Sequence, residues 1–395
     1  MLNSSVPTLL PVYKRMDVAF ERGLGAQLWD DRGRRYLDFG SGIAVTGLGH
    51  CHPHLVEALT SQANALWHTS NLYEIPALQK LADRLVANSF AETVFVCNSG
   101  AEAIEITVKM ARRHFFARGL PGRHRVITFE GAFHGRTMTG ISAVPTPKMA
   151  EGFAPLLEGF DVVPFGDLAA VQAAIGPSTA AILIEPIQGE GGIRAAEPGF
   201  LAALRQLCDE HDMLLLFDEV QCGLGRTGNM FAYEGMGVVP DIMALAKGLG
   251  GGFPIGACLA TARAAAGMTY GTHGSTFGGN PLGSAVANAV LDVMLKEGFM
   301  ADAARRAGVL RERLQGMAAR HPEMIAEVRG KGFILGLRTV QPAGDVVARF
   351  MELGLVTIPA SDNVVRLLPP LTVTLDEIEE GVGIIEQAAS RAEAA

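Results

Sequence analysis

The sequence has no long apolar run, no block of basic residues and no paired cysteines. No stretch approaches the roughly eighteen apolar residues of a membrane-spanning helix, so we expect no membrane partner. The 33 Lys and Arg residues are dispersed and outnumbered by 41 Asp and Glu residues, which gives a net charge of −8. Nucleic acids bind basic patches, so none is expected as a partner. The opening residues lack the pattern of a secretory signal, and we expect a cytoplasmic protein.

Disulfide and metal chemistry also lack their usual signatures. The five cysteines are scattered without a C-x-x-C pair, which predicts reduced thiols. His50, His52 and His54 alternate in GHCHPHL, but Pro53 interrupts them and no H-E-x-x-H pattern supports them. A turn before a helix is the preferred interpretation of this segment. The sequence therefore predicts no metal site.

The sequence does contain an alternation of short apolar runs and longer helical patterns. With 49% hydrophobic and 19% charged residues, the 395-residue chain is globular and long enough for two or three domains. Within 102–117, Ile104, Val108, Ala111 and Phe115 recur on one face of a predicted helix. Continuous apolar runs, typical of buried parallel strands, lie at 93–97, 125–129, 180–185, 213–220 and 241–246. The alternation predicts an α/β fold with a mostly parallel sheet flanked by helices.

The pattern changes near residue 285. A long helical stretch from residue 281 precedes short strands in GFILGLRT, GLVTIPA and VVRLLPP, and Thr374 begins a last helix with the capping box T-L-D-E. We predict a large domain (46–285) and a smaller C-terminal α+β domain (286–395). The N-terminal segment (1–45) contains QLWDDRGRRYLDF, which resembles a hairpin that packs with the small domain.

Two strand ends carry charged residues that are costly to bury. Asp218 ends the run in MLLLFDEV, and Lys247 follows DIMALA and precedes the glycine-rich GLGGG. Each has an ordinary explanation alone, because an aspartate often caps a helix or pairs with a cation and a loop lysine is usually solvated. Neighbouring parallel strands would bring both residues to one edge of the sheet, where α/β proteins bind ligands.

A third strand end indicates an anion site. In TVFVCNSGAEA, Ser99 and Glu102 form an S-x-x-E capping box, which marks the start of a helix. Gly100 lets a ligand approach the free N–H groups, and the helix dipole favours an anion there. An anion site, a buried aspartate and a strand-end lysine together suggest pyridoxal 5′-phosphate, which needs a phosphate site, a partner for its pyridine nitrogen and a Schiff-base lysine.

One competing motif favours a different class of enzyme. GLGRTG, with Gly223, Gly225 and Gly228, matches the G-x-G-x-x-G fingerprint of nicotinamide-dependent oxidoreductases. That fingerprint directly follows a strand and opens a helix, whereas DEVQC separates this one from its apolar run. An oxidoreductase is therefore kept only as a distant alternative.

Seven ordered motifs resemble one family over essentially the whole chain. They are LWDDRGRRYLDFGSGIAVTGLGHCHP, NSGAEA, FHGRT, EPIQGEGG, FDEVQCGLGRTG, AKGLGGGFPIGA and HGSTFGGNPL. The chain resembles the class III aminotransferases of the fold-type I pyridoxal-phosphate enzymes, and within them most resembles the acetylornithine aminotransferases. The resemblance implies a fold-type I PLP-dependent transferase fold.

The resemblance also implies a cofactor site, position by position. Lys247 would form the Schiff base and Asp218 would pair with the pyridine nitrogen, which makes both of them catalytic. The other implied contacts are the phosphate with Ser99, Gly100 and Ala101, the ring with Phe133, the phenolic oxygen with Gln221, and the phosphate of the neighbouring subunit with Thr276. The last contact implies a homodimer.

Substrate binding is implied in the same way. Arg136 would hold the substrate α-carboxylate, a task that suits a planar guanidinium. Arg366 would bind a second carboxylate, with Glu190 as its removable counter-ion, and Ser275 would also contact substrate.

The implied reaction moves the δ-amino group of N2-acetylornithine to 2-oxoglutarate, giving N-acetylglutamate 5-semialdehyde and glutamate in arginine biosynthesis. Succinylornithine, N-succinyl-diaminopimelate, ornithine, 4-aminobutyrate and an aminomutase substrate are the alternatives. Ile43 and Gln27 stand where ornithine aminotransferases resemble this motif but carry tyrosine, which disfavours free ornithine. Ala101 replaces a threonine common in the family, which removes one possible hydroxyl contact to phosphate.

Overall fold

A computed structural model describes residues 8–393 of the chain. Its strands are β1 (Phe20–Leu24), β2 (Gln27–Asp30), β3 (Arg35–Asp38), β4 (Thr93–Cys97), β5 (Arg125–Phe129), β6 (Phe160–Val163), β7 (Thr179–Ile184), β8 (Ile187–Gln188), β9 (Arg194–Ala195), β10 (Leu214–Asp218), β11 (Ile242–Leu245), β12 (Gly256–Ala260), β13 (Ile325–Lys331), β14 (Ile334–Thr339), β15 (Leu355–Val356), β16 (Ile358–Ala360) and β17 (Val364–Leu367).

Helices alternate with these strands through most of the chain. They are α1 (Ser41–Ala44), α2 (Pro53–Ala63), α3 (Pro76–Ala87), α4 (Gly100–Ala117), α5 (Met138–Ala143), α6 (Pro147–Ala150), α7 (Leu168–Ala174), α8 (Pro198–Glu210), α9 (Ala232–Met236), α10 (Ala262–Ala265), α11 (Pro281–Met294), α12 (Phe299–Arg320), α13 (Ala343–Glu352) and α14 (Leu375–Glu393), with a 3-10 turn at Lys247–Leu249.

A seven-stranded sheet organises the middle of the chain in the order β4-β12-β11-β10-β7-β5-β6. Its strands are parallel except β12, which runs antiparallel to both β11 and β4. The predicted α/β class with a mostly parallel sheet is confirmed. β4 and β5 have the predicted bounds, while β7, β10 and β11 differ from prediction by one or two residues at each end.

Helices cover this sheet through apolar faces. The face predicted on α4 is buried, since Ile104, Val108, Ala111 and Phe115 are at most 3% exposed. Fully burying one such large side chain stabilises the fold by about 1.5–3 kcal/mol. The parallel neighbours β10 and β11 pair Asp218 with Ala244. Asp218 therefore ends its strand beside the end of β11, after which Lys247 follows.

The C-terminal elements form a second sheet. β13, β14, β17 and β16 make a four-stranded antiparallel sheet. The capping box at Thr374 is present, because Thr374 N donates to Glu377 Oε2 at 2.8 Å and Glu377 N donates to Thr374 Oγ1 at 3.2 Å. The N-terminal hairpin β2–β3 joins β15 through a parallel pairing of β3, so both ends of the chain share one sheet. The domain limits at 45 and 285 stay predictions.

The three alternating histidines have separate surroundings: His50 precedes α2, His52 is its N-cap and His54 lies in its first turn. His50 Nε2 lies 2.7 Å from Asp38 Oδ2, and His54 Nε2 lies 3.0 Å from Asp292 Oδ2. Among residues 8–393 no group of three His, Cys, Asp or Glu side chains is placed to hold a metal ion. No helix in the same range is long and apolar enough to cross a membrane. All five cysteines are free thiols.

Candidate active site

A cavity of about 470 Å³ opens at the carboxyl ends of β4, β10 and β11. This is the edge where parallel sheets bind ligands. Of the twelve residues that the sequence analysis assigned to the site, eight line it: Ser99, Gly100, Ala101, Phe133, Arg136, Asp218, Gln221 and Lys247.

One end of the cavity is the N-terminus of α4. Ser99 is the N-cap in an extended conformation, and its hydroxyl accepts from Glu102 N at 3.2 Å. The Glu102 carboxylate accepts from Asn98 N at 2.5 Å, one residue before the position expected of a capping box. A Cβ on Gly100 would lie 2.8 Å from Val220 Cγ1, so only glycine fits without a shift. The 18-residue helix directs its dipole and free N–H groups into the cavity.

Asp218 is a buried carboxylate in the lining of the cavity and is 3% exposed. Its Oδ1 accepts from Val220 N at 3.0 Å, and its Oδ2 lies 2.8 Å from His134 Nδ1. Each carboxylate oxygen can accept two hydrogen bonds, so the group can still bind a protonated ring nitrogen. Burial disfavours a charged His134, but the hydrogen bond and the charges of Asp218 and Glu185 outweigh it and raise the pKa of His134.

Glu185 is a second buried carboxyl in the wall, 4% exposed. Burial and the neighbouring charge of Asp218 raise its pKa to about 7, against the opposing effects of His134 and two backbone N–H donors. Three buried titratable groups therefore lie in the same wall of the cavity: Asp218, His134 and Glu185.

Lys247 begins the 3-10 turn after β11 and has a φ of 43°, in the left-handed region that non-glycine residues rarely adopt. Such strain marks candidate functional positions. The following turn is tight, since a Cβ on Gly250 would lie 1.9 Å from Phe253 O. The lysine faces the cavity and is otherwise enclosed by protein. Burial lowers the pKa of its amine, although the carboxylates of Glu190 and Asp218 act in the opposite direction.

Arg366 is a buried guanidinium behind this wall, 1% exposed. Its Nη1 donates to Glu190 Oε1 at 2.6 Å and to Gln221 Oε1 at 3.2 Å, and its Nη2 donates to Pro359 O at 3.2 Å. A guanidinium only donates, so Gln221 must direct its oxygen at Arg366 and its amide nitrogen elsewhere. Gln221 therefore connects the arginine to the cavity that it lines.

Phe133 and Arg136 form the outer part of the lining. The guanidinium carbon of Arg136 lies 5.5 Å from the centroid of the Phe133 ring. Phe133 is partly buried and Arg136 is exposed, which leaves the arginine accessible to an incoming carboxylate.

Four predicted residues lie outside the lining formed by residues 8–393: Glu190, Ser275, Thr276 and Arg366. Glu190 and Arg366 reach it through Gln221. The Ser275 hydroxyl accepts from Asn98 Nδ2 and from Gly278 N, both at 3.0 Å, so it is engaged in holding its own loop. Thr276 is exposed. The predicted substrate role of Ser275 has no geometric support within this chain.

Three residues that line the cavity were not predicted as site residues: His134, Glu185 and Val220. The first two lie inside the quoted motifs FHGRT and EPIQGEGG, and Val220 lies inside FDEVQCGLGRTG. Their position within these motifs was the only sequence feature that could have indicated them as site residues. Their roles depend on contacts between distant loops, which a single sequence does not display.

The GLGRTG segment links two parts of the chain and is not a dinucleotide-binding loop. Its residues form turns between β10 and α9 and do not open a helix. Arg226 is 2% exposed, and its guanidinium donates to the carbonyl oxygens of Phe333 and Pro369. The segment therefore fastens the cavity side of the chain to its C-terminal part.

The residues present fit pyridoxal 5′-phosphate. A helix N-terminus can bind its phosphate, a buried carboxylate can pair with its pyridine nitrogen, and a strained lysine with a lowered pKa faces both. Gln221 has an amide nitrogen free of Arg366 for the phenolic oxygen. This combination defines the site of a pyridoxal-phosphate enzyme.

Comparison with known proteins identifies the family. Residues 11–389 match the family described as aminotransferase class-III, and the chain belongs to that family. It is a pyridoxal-phosphate-dependent aminotransferase with a fold-type I architecture.

Individual relatives extend the likeness over nearly the whole chain. Acetylornithine aminotransferase 1 of Bradyrhizobium diazoefficiens is 58% identical over 388 residues, which cover 98% of this chain and 96% of the relative. The solved N-acetylornithine aminotransferase of Stenotrophomonas maltophilia is 40% identical with a TM-score of 0.84, covering 97% and 98%. The ornithine aminotransferase of Toxoplasma gondii is 33% identical with a TM-score of 0.94, covering 98% and 93%.

Proposed function

We propose that this aminotransferase transfers the δ-amino group of N2-acetylornithine to 2-oxoglutarate, releasing N-acetylglutamate 5-semialdehyde and glutamate. The observation that carries the proposal is the 58% identity, over 98% of the chain, to an acetylornithine aminotransferase. We also propose that the reaction is a step of arginine biosynthesis and takes place in the cytoplasm.

The cavity residues divide the work of binding the cofactor. Ser99, Gly100 and Ala101 bind the phosphate at the start of α4. Asp218 holds a proton on the pyridine nitrogen, and Gln221 donates to the phenolic oxygen, while Phe133 packs on the ring. When bound, the cofactor supplies an electron sink for the carbon that carries the amine.

Lys247 is the proposed acid and base. An amine must be neutral to accept a proton, and burial favours the neutral form by lowering its pKa. The lysine Nζ would then be the base that takes the proton from the amine-bearing carbon of the donor, and the ammonium so formed would be the acid that gives it back.

Two arginines divide the recognition of carboxylates. Arg136, exposed at the cavity mouth, binds the α-carboxylate of the donor. Arg366 binds a carboxylate of 2-oxoglutarate, and Glu190 neutralises it while the donor's uncharged methylene chain occupies the site. The support is the 2.6 Å contact between Arg366 and Glu190, because a buried and unpaired guanidinium would cost several kcal/mol.

We further propose that the enzyme is a homodimer in which Thr276 reaches the phosphate of the neighbouring subunit. Thr276 is exposed in the single chain, and the loop around it carries exposed aromatic side chains, with Tyr270 101% and Phe277 61% exposed. Trp67, Leu72 and Tyr73 add exposed apolar surface, and Asn71 ties their segment to the same loop through Ser275 O and Gly278 O at 3.0 Å. Exposed apolar patches of this kind mark protein interfaces.

Comparative turnover tests the donor. The purified enzyme with 2-oxoglutarate is given N2-acetylornithine, N2-succinylornithine, ornithine, N-succinyl-diaminopimelate and 4-aminobutyrate, and glutamate is measured. We expect the highest kcat/KM with N2-acetylornithine. Ornithine is the main competitor, because one structural neighbour is the ornithine aminotransferase of Toxoplasma gondii. A higher kcat/KM with ornithine would contradict the proposal and indicate an ornithine aminotransferase.

A further inference from the structure

Glu185 is a buried cavity residue to which the proposed reaction assigns no task. It follows β7 directly and is 4% exposed. A carboxyl is costly to bury, and here the cost is increased by the neighbouring charge of Asp218. The contacts that Glu185 makes indicate what offsets this cost.

Each oxygen of Glu185 accepts a hydrogen bond from a different loop. Oε1 accepts from Phe133 N at 2.7 Å, and Oε2 accepts from Gly189 N at 3.1 Å. The first loop, residues 130–136, follows β5 and carries Arg136. The second loop, residues 189–192, follows β8 and carries Glu190.

The two loops also touch each other directly. Gln188, which immediately precedes the second loop, donates through Nε2 to Glu130 O at 2.9 Å. A Cβ on Gly191 would lie 2.6 Å from Gly131 O, so the backbones are in close contact. Glu185 and Gln188 therefore connect the same pair of loops through two separate sets of hydrogen bonds.

We propose that Glu185 is a positioning residue that holds the loop of Arg136 and the loop of Glu190 together, so that Arg136 and the counter-ion of Arg366 keep a constant separation. The proposal rests on the proposed function for the roles of Arg136 and Glu190. It does not rest on that function for the contact between the loops.

The chemistry of the side chain explains why a carboxylate stands here. Both partners of Glu185 are N–H donors, and each of its two carboxyl oxygens has lone pairs that accept a hydrogen bond. A glutamine would direct its NH₂ group at one of the two N–H groups, so one loop would lose its partner. An aspartate would keep both acceptors on a shorter side chain, which cannot reach both donors at their present positions.

Glu219 offers a matched control. It is also fully buried, and it accepts two backbone N–H bonds, from Ala232 at 2.6 Å and Tyr233 at 2.8 Å. It holds the start of α9 and does not line the cavity. Glu185→Gln and Glu219→Gln thus remove the same kind of hydrogen bond at different places.

The experiment is amide hydrogen exchange on the full-length holoenzyme, followed by steady-state kinetics of the same samples. In Glu185→Gln we expect exchange in residues 130–136 or 187–192 to rise at least tenfold, with residues 99–104 unchanged. KM for the donor and KM for 2-oxoglutarate should both rise at least tenfold. Glu219→Gln should leave both KM values and both loops unchanged. If Glu185→Gln does not fold, Glu185→Asp is measured in its place with the same expectation.

Two results would overturn the proposal. Exchange in both loops no faster than in Glu219→Gln would show that Glu185 does not hold them. Faster exchange with unchanged KM values would show that the loops are tied without a consequence for substrate position. Failure of the proposed function is a separate outcome, because the wild-type enzyme would then not turn over N2-acetylornithine whatever the exchange data show.

Discussion

Replacing Glu190 by alanine should change the ratio of the two half-reactions. Arg366 is 1% exposed, and its charge is neutralised by Glu190 at 2.6 Å. Without Glu190, the guanidinium keeps only the neutral acceptors Gln221 Oε1 and Pro359 O, both at 3.2 Å. The donor then places uncharged carbon beside an uncompensated cation, whereas 2-oxoglutarate brings its own carboxylate. The donor half-reaction should slow and the acceptor half-reaction should not.

The size of the effect follows from the lost contact. A hydrogen bond to a charged group contributes about 1.5–3 kcal/mol. The Glu190 side chain is 35% exposed, and solvent screening places the effect near the lower figure. That figure corresponds to roughly a tenfold fall in the rate ratio of donor to acceptor half-reaction.

Stopped-flow absorbance of the bound cofactor measures each half-reaction alone, with N2-acetylornithine or 2-oxoglutarate as the single substrate. Glu190→Gln is the control for size, since it keeps an acceptor oxygen without the charge, and its ratio should fall between those of wild type and Glu190→Ala. An unchanged ratio in Glu190→Ala would refute the counter-ion role.

Three further outcomes follow from the same structure. Thr276→Ala should weaken binding of pyridoxal 5′-phosphate about tenfold in equilibrium dialysis with the dimer intact by ultracentrifugation; unchanged affinity would contradict a contact across the interface. Ala101→Thr, which adds a hydroxyl at the start of α4, should tighten cofactor binding severalfold, by about 1 kcal/mol, and no gain would mean that the hydroxyl does not reach the phosphate. Burial raises the pKa of Glu219 from its ordinary value of 4.5 to about 8, so the stability it contributes is present below pH 4.5 and is lost as pH rises towards 8. The stability of wild type relative to Glu219→Gln should therefore fall between pH 5 and 8 by at most about 4 kcal/mol in urea unfolding, and a pH-independent difference would contradict the raised pKa.

The sequence alone predicted most strands of the central sheet and the two charged strand ends at the centre of the site. Fully buried parallel strands appear as continuous apolar runs, and a charged residue at the end of such a run is conspicuous, as Asp218 and Lys247 were. β12 was not predicted because it is the antiparallel strand of the sheet, and its short run GACLA begins soon after the glycine-rich GLGGG, with only Phe253, Pro254 and Ile255 between them. β6 was not predicted because Asp161 interrupts its apolar pattern at the sheet edge.

The side chains around the cofactor site were harder to predict. Arg366 and Glu190 are far apart in the chain, and only the family resemblance joined them before the structure showed their contact. No local sequence pattern indicates that His134 and Glu185 belong to the site. Their burial and their proximity to Asp218 arise from the packing of three loops, so neither propensity nor hydrophobic period could indicate them.

The central claim is that Lys247 carries the cofactor and that N2-acetylornithine is its donor. The most direct test is the visible absorption of the purified protein with pyridoxal 5′-phosphate, before and after addition of N2-acetylornithine, ornithine or 4-aminobutyrate without an acceptor. We predict a visible band of lysine-bound cofactor that is absent in Lys247→Ala and that N2-acetylornithine bleaches fastest. A wild-type protein without this band, or a Lys247→Ala protein that retains it, would contradict the account.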